Sequence, residues 1–191
     1  MRCAIFIIVI LSSGHMASGQ PKVDPRDSVD VKNKIEGFYS WYISLIKEGK
    51  LNRRFNPGFL ELENGMTTLD FRRYKDALRK FKFSEDFIRR KINSYRECVD
   101  NLSEIRFDRF TQLPDVDDLG RIHCDFQNRY EWTGGMEPKD KAELTHLKFV
   151  DGDTILGTVS FTSHSSPDGH ATVIFRRSEK GWTINDLMPG L

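Results

Sequence analysis

The sequence lacks most of the features that announce a chemistry. It carries almost no net charge, with 29 Lys and Arg against 28 Asp and Glu. That balance excludes a general nucleic-acid binder, which needs a basic surface to meet phosphate. Cysteine is scarce, at three in the whole chain, so a scaffold held by several disulfides is excluded. There is one unbroken apolar run, Cys3 to Leu11 (CAIFIIVIL). It is roughly half the ~20 residues that a membrane-spanning helix needs. No catalytic or cofactor motif is found, and neither a cofactor nor a metal is expected.

What is there begins with the first nineteen residues. Met1-Arg2 gives a short positive start, the apolar run follows, and Ser12 to Gly19 is small and polar. Ala17-Ser18-Gly19 puts small residues at the −3 and −1 positions before a cut at Gln20. This is the layout of a secretory signal peptide. The expectation is a periplasmic or secreted protein without stable membrane insertion. A retained anchor is the alternative. A lipid anchor would need a cysteine directly after the apolar core, and Cys3 precedes it. Gly14 to Ser18 (GHMAS) has a slight likeness to a cloning scar, against which stands the natural apolar run ahead of it. After cleavage 172 residues remain, with 28 basic against 28 acidic. That is enough for one domain with a real core.

Charge is unevenly spread along this chain. Residues 72–96 hold ten Lys and Arg against three acids, and residues 97–140 hold eleven acids against five bases. Two solvated faces of opposite sign would account for this. So would a bipolar surface that steers a charged partner. Cys98 and Cys124 are the cysteines left after cleavage. In an oxidising compartment they would form one disulfide; otherwise they are two buried thiols.

Gln20 to Ser28 is polar, contains two prolines and reads, with the next two residues, as a linker over 20–30. A single domain then covers 31–191. Ile35, Phe38, Tyr42 and Leu45 recur at spacings of three and four, predicting an amphipathic helix over 31–47 that Gly49 stops. Phe55 to Leu62 reads as a short helix or turn ended by Asn64-Gly65. Phe71, Tyr74, Leu78 and Phe81 form a second helical stripe. Ser84 is placed as the N-cap of a long helix over 84–103, with Ile88, Ile92, Tyr95, Val99 and Leu102 on one face. Residues 112–120 form an acidic loop, and alternation of Ile122, Cys124, Phe126 and Asn128 suggests a strand over 121–132. Four strand-like runs close the chain, separated by turns at 151–153, 165–169 and 178–181. Short turns imply antiparallel hairpins. Helices first and a meander last give α+β, with helices packed on one sheet face.

The first helix IEGFYSWYISL (Ile35 to Leu45), the hairpins between Glu143 and Arg177 and the ending IFRRSEKGWTINDL (Ile174 to Leu187) carry a resemblance. Their order resembles the nuclear-transport-factor-2-like superfamily, in particular its small exported and lipoprotein-type bacterial branch. The resemblance spans roughly residues 31–191, and the long helix over 84–103 is extra to the minimal form. It implies helices cupped in a strongly curved antiparallel sheet, a cone. It also implies a cone pocket, at which Phe38, Tyr42 and Phe161 are placed. A pocket plugged by them would favour protein binding; an open one with an inward carboxylate would favour a ligand or an enzyme. Because such folds host many functions, the role implied for exported members is partner binding, in its sharpest form immunity against a cell-envelope toxin. The alternatives are a carrier of a small apolar ligand and a lyase or isomerase. Homodimers through the outer sheet face are compatible with the resemblance.

The residues assigned to the partner surface are Arg72, Arg73, Arg79 and Lys80 on the basic segment and Asp115, Asp117 and Asp118 on the acidic loop. Tyr39, Trp41, Tyr42 and Phe38 cannot all face one core stripe; they are read as core plus rim, or as lining a pocket mouth or anchoring a partner. His164 and His170 flank the turn at 165–169; two histidines alone do not make a metal site, and Asp168 within the turn is the nearest candidate for a third ligand. His123 adjoins Cys124, yet strand neighbours point to opposite faces. An isomerase would need a carboxylate or histidine in the pocket. Tyr42, Asp125, His146 and Asp186 are the available groups, and no spacing gathers them.

Overall fold

The computed structural model describes residues 24–112 and 116–190. Residues 1–19, read as the signal peptide, and Asp115 of the acidic loop lie outside them. The first helix, α1 (Pro25–Lys47), reaches back into the segment read as a linker. Asp24 caps it by accepting from the Arg26 N–H, Pro25 supplies a preset φ at the first helical position, and Asp27 sits in the first turn. These local signals outweigh the polar composition of the segment.

A short α2 (Leu51–Arg54) leads into a hairpin, β1 (Gly58–Glu61) and β2 (Thr67–Asp70), where the sequence suggested a helix or turn. Gly65, at φ +78, and the Asn64 side chain, which accepts from the Met66 N–H, make the turn. Asn64-Gly65 therefore joins strands rather than ending a helix. Next come α3 (Arg72–Lys80), α4 (Glu85–Asn93) and α5 (Arg96–Leu102). The long helix expected over 84–103 is thus two. The apolar spacing runs through the break, but at Ser94 the hydroxyl donates back to the Lys91 carbonyl and Tyr95 turns inward. Ser84 does cap α4, accepting from the Phe87 N–H at 3.1 Å.

Helices α6 (Phe107–Phe110) and α7 (Val116–Arg121) follow, then single 3₁₀ turns at Asp125–Asn128 and Glu131–Thr133. The strand expected over 121–132 is not formed. Ile122, Cys124 and Phe126 still turn inward, but along a turning chain with His123 at φ +57. Cys124 is bonded to Cys98 on α5.

Strands β3 (Lys141–Phe149), β4 (Thr154–Ser163), β5 (Ser166–Ser178) and β6 (Gly181–Pro189) form one antiparallel sheet in that order. The architecture is α+β. Alternation is strict on β4, where Ile155, Val159 and Phe161 are buried and Leu156, Thr158 and Ser160 are only partly covered. At Gly157 a Cβ would meet Val173 at 2.7 Å and Leu144 at 2.9 Å, so this position accepts no side chain. The β4–β5 turn differs from the expected 165–169. It is the pair His164-Ser165, both in the left-handed region, and Ser166 already pairs with Ser163. The core joins α1 (Val31, Ile35, Phe38, Tyr42) to the inner sheet face (Val159, Phe161, Val173, Phe175, Ile184).

Candidate functional site

Phe38, Tyr42 and Phe161, expected at a pocket, sit in the hydrophobic core. All three are buried, at 0–1% exposure. Phe38 stacks on Tyr42 at 5.9 Å and meets Phe83 and Trp132 edge-on at 5.0 and 5.2 Å. Phe161 packs against Tyr39 at 5.1 Å. Trp132 is the residue that reading the sequence missed. It touches the rings of Phe38, Phe55, Tyr74, Phe83 and Phe87 from a 3₁₀ turn. Its one legible signal was being a tryptophan at the end of the strand expected over 121–132. Desolvation pushes the Tyr39 and Tyr42 hydroxyls above their usual values, so both stay neutral. The described interior around these rings is filled by side chains.

The basic segment lies on the surface, and its residues differ in what they have to offer. Arg72 is spent on Asp70, with three hydrogen bonds of 2.7–3.0 Å. The Arg72 side chain and backbone N–H hold the Asp70 carboxyl down at about 2. Arg79 forks onto Glu85 at 2.8 and 3.0 Å. Arg73 donates to the Arg53 carbonyl and meets no carboxylate among the described residues. Lys80 likewise has no acidic partner there. Its ammonium sits 5.9 Å from the ring centre of Trp41 and 5.3 Å from that of Phe81. Both rings are partly exposed and in contact, at 5.0 Å. The segment therefore presents an aromatic pair crowned by one uncommitted ammonium, rather than four free cations. Of the acidic loop, Asp117 and Asp118 fall on α7, and Asp118 meets Arg121 at 3.4 Å.

A second surface feature is a cleft of about 530 Å³ bordered by Tyr95, Asp125, Phe126, Arg129, Glu131 and Met136. Glu131 accepts from the Tyr95 hydroxyl at 3.1 Å and pairs with Lys91, while Asp125 pairs with Arg129 at 2.6 Å. The four groups considered for an isomerase occupy separate environments. Tyr42 is in the closed interior, Asp125 borders this cleft, His146 is exposed on β3, and Asp186 lies 3.6 Å from Arg90.

The histidines are not gathered either. His170 pairs with Ser160 and packs against Gly190, whereas His164 sits in the turn with its N–H on Asp140. Asp168 is held by Lys139 at 2.6 Å. Among the described residues no group of three or more potential ligands is placed to hold a metal. Cys124, being disulfide-bonded, offers His123 no thiol; that histidine lies 3.2 Å from Glu97. No described helix is long and apolar enough to cross a membrane. No family model, curated protein or solved structure matches this chain.

Proposed function

We propose that this chain is an exported, non-catalytic protein-binding module on a nuclear-transport-factor-2-like cone. Its partner is a protein of the cell envelope, and in the sharpest form a toxin that it neutralises. The observation that carries the reading is the filled interior. With Phe38, Tyr42 and Phe161 buried among other rings, recognition falls to the outer surface. The disulfide fits an oxidising compartment and so agrees with the leader-like first nineteen residues.

The contact surface centres on Trp41, Phe81 and Lys80. Aromatic residues next to a cation that no internal acid neutralises have the composition of interface hot spots. An acidic protein surface complements them. The cleft bordered by Tyr95, Phe126 and Met136 favours a second reading, a carrier of a small apolar ligand, now outside the cone.

The test uses protein from Gln20 to Leu191 immobilised against envelope extract and the products of neighbouring genes. One stoichiometric partner is expected, and its affinity should fall when Trp41→Ala and Lys80→Glu are combined. Unchanged affinity with both Lys80 and Asp118 charge-reversed would remove this surface from consideration. A co-purifying small molecule without a protein would favour the carrier. For export, the mass of the product found outside the cytoplasm should begin at Gln20.

A further inference from the structure

The two edges of the sheet are finished differently. Along β6, Phe83 pairs with Ile184, Ser84 donates to the Ile184 carbonyl, Ile184 donates to Lys82, and Arg90 reaches the Asn185 carbonyl. Along β3, among the described residues, one backbone group is held by a side chain of α1: the Leu144 N–H donates to Glu36 Oε1 at 2.9 Å. A groove of about 640 Å³ borders α1 and residues 140–143, and a smaller one of about 260 Å³ borders Ser28, Val29, Lys32 and residues 144–147.

A bulge between Leu144 and His146 resets the alternation of β3. From 142 to 149 the side chains of Ala142, Leu144, Leu147 and Phe149 are partly buried, and those of Glu143, Thr145, His146 and Lys148 are exposed. This pattern reads the same from either end. Its centre lies between Thr145 and His146. The backbone follows the same symmetry. Leu144 N–H points away from β4, and Val150 N–H points into it, onto Thr154. Alternation from those two fixed points leaves Ala142, Leu144, Leu147 and Phe149 with outward-facing backbone groups.

We propose that β3 pairs antiparallel with β3 of a second copy of this chain, about a twofold axis between Thr145 and His146. In that register Leu144 faces Leu147 of the second copy and Ala142 faces its Phe149. Each of these pairs can exchange two backbone hydrogen bonds. On the outer face Glu143 meets Lys148 of the second copy, and the axis repeats the pair. Lys148 has no ion-pair partner among the described residues, so its charge is available; Glu143 pairs only with the neighbouring Lys141. On the inner face the incoming Leu144 and Leu147 approach the groove at Val29, which is 58% exposed. Glu36 holds the Leu144 N–H until then and is released toward Lys32, 3.9 Å away. An interface of one strand per copy is small, so the dimer is reversible and concentration-dependent. This proposal does not depend on the protein-binding reading.

Sedimentation equilibrium of the purified protein over a concentration series tests it. Wild type should show a monomer–dimer equilibrium. Glu143→Lys and Lys148→Glu, each placing like charges at both ends of the pairing, should weaken it about tenfold. The double exchange Glu143→Lys with Lys148→Glu restores complementarity and should restore the dimer. Circular dichroism of each variant separates misfolding from lost pairing. A monomer at every concentration overturns the proposal. So does a dimer that ignores both single reversals, because that dimer uses another face.

Discussion

The sheet half and the helical half of this molecule are held together by different means. Strands β3 to β6 are consecutive neighbours joined by short turns, so each strand finds its partner next in sequence. The helices between Arg72 and Arg121 are short, at four to nine residues each, below the length at which helices persist alone in water. They depend on clamps from elsewhere: the Cys98–Cys124 bond, the Lys91–Glu131–Tyr95 cluster, the hydrogen bond from Asn101 to the Ile122 carbonyl and the docking of Phe83 on β6. A meander carries its own instructions, while a set of short helices borrows them.

The largest blow to this arrangement is expected where the halves meet. Trp132 is 2% exposed and touches rings from α1, α3 and α4. Trp132→Ala should lower stability by about 3–5 kcal/mol, from lost burial and the cavity left behind. Urea unfolding measures this, and a loss under 1 kcal/mol would mean that the halves are joined elsewhere. Replacing Cys98 and Cys124 together by alanine should cost about 3 kcal/mol. Hydrogen exchange should then rise over residues 96–124 far more than over β4 and β5. Equal acceleration in both regions would contradict the division drawn here. Ser84→Ala removes the cap of α4 and should cost about 1 kcal/mol, seen as a small fall in midpoint with an unchanged slope.

The smallest effect concerns acid. The Asp70 carboxyl titrates at about 2 in the folded chain, against roughly 3.9 unfolded. Its folded value is the lower one, so its contribution is complete above about pH 4 and is lost as pH falls toward 2. Arg72 is 80% exposed, which keeps that contribution under about 1 kcal/mol. Asp70→Asn should flatten the acid limb of stability in that window and leave neutral-pH exchange in the sheet unaltered.

Legibility in the sequence follows the same division. Alternation and turn residues placed all four strands of the sheet, missing mainly the turn at His164-Ser165, where non-glycine residues adopt positive φ. The α1 stripe was also plain, although its start at Pro25 was masked by polar composition. The helical half was harder. Apolar spacing of three and four continues through Ser94-Tyr95 because both helices bury the same side, so the break leaves no gap in the pattern. The alternation at 122–126 arose from a turning chain that buries Cys124 and packs Ile122 and Phe126 against the core. For the candidate surface, the basic run was visible, yet which cations are free was not. Arg72 and Arg79 find acids at Asp70 and Glu85 through turn and cap geometry, which composition does not encode.

By itself, then, the sequence determined the α+β class, the order of the meander, the helix bearing Phe38 and Tyr42 and the Ser84 cap, because each rests on interactions a few residues apart. The tertiary structure alone decided that Cys98 and Cys124 meet, that Trp132 closes the interior, that Lys80 has no acidic partner among the described residues and that β3 ends the sheet beside α1, with its Leu144 N–H on Glu36. Those outcomes depend on groups distant in sequence arriving at one place, and local periodicity carries no information about such meetings.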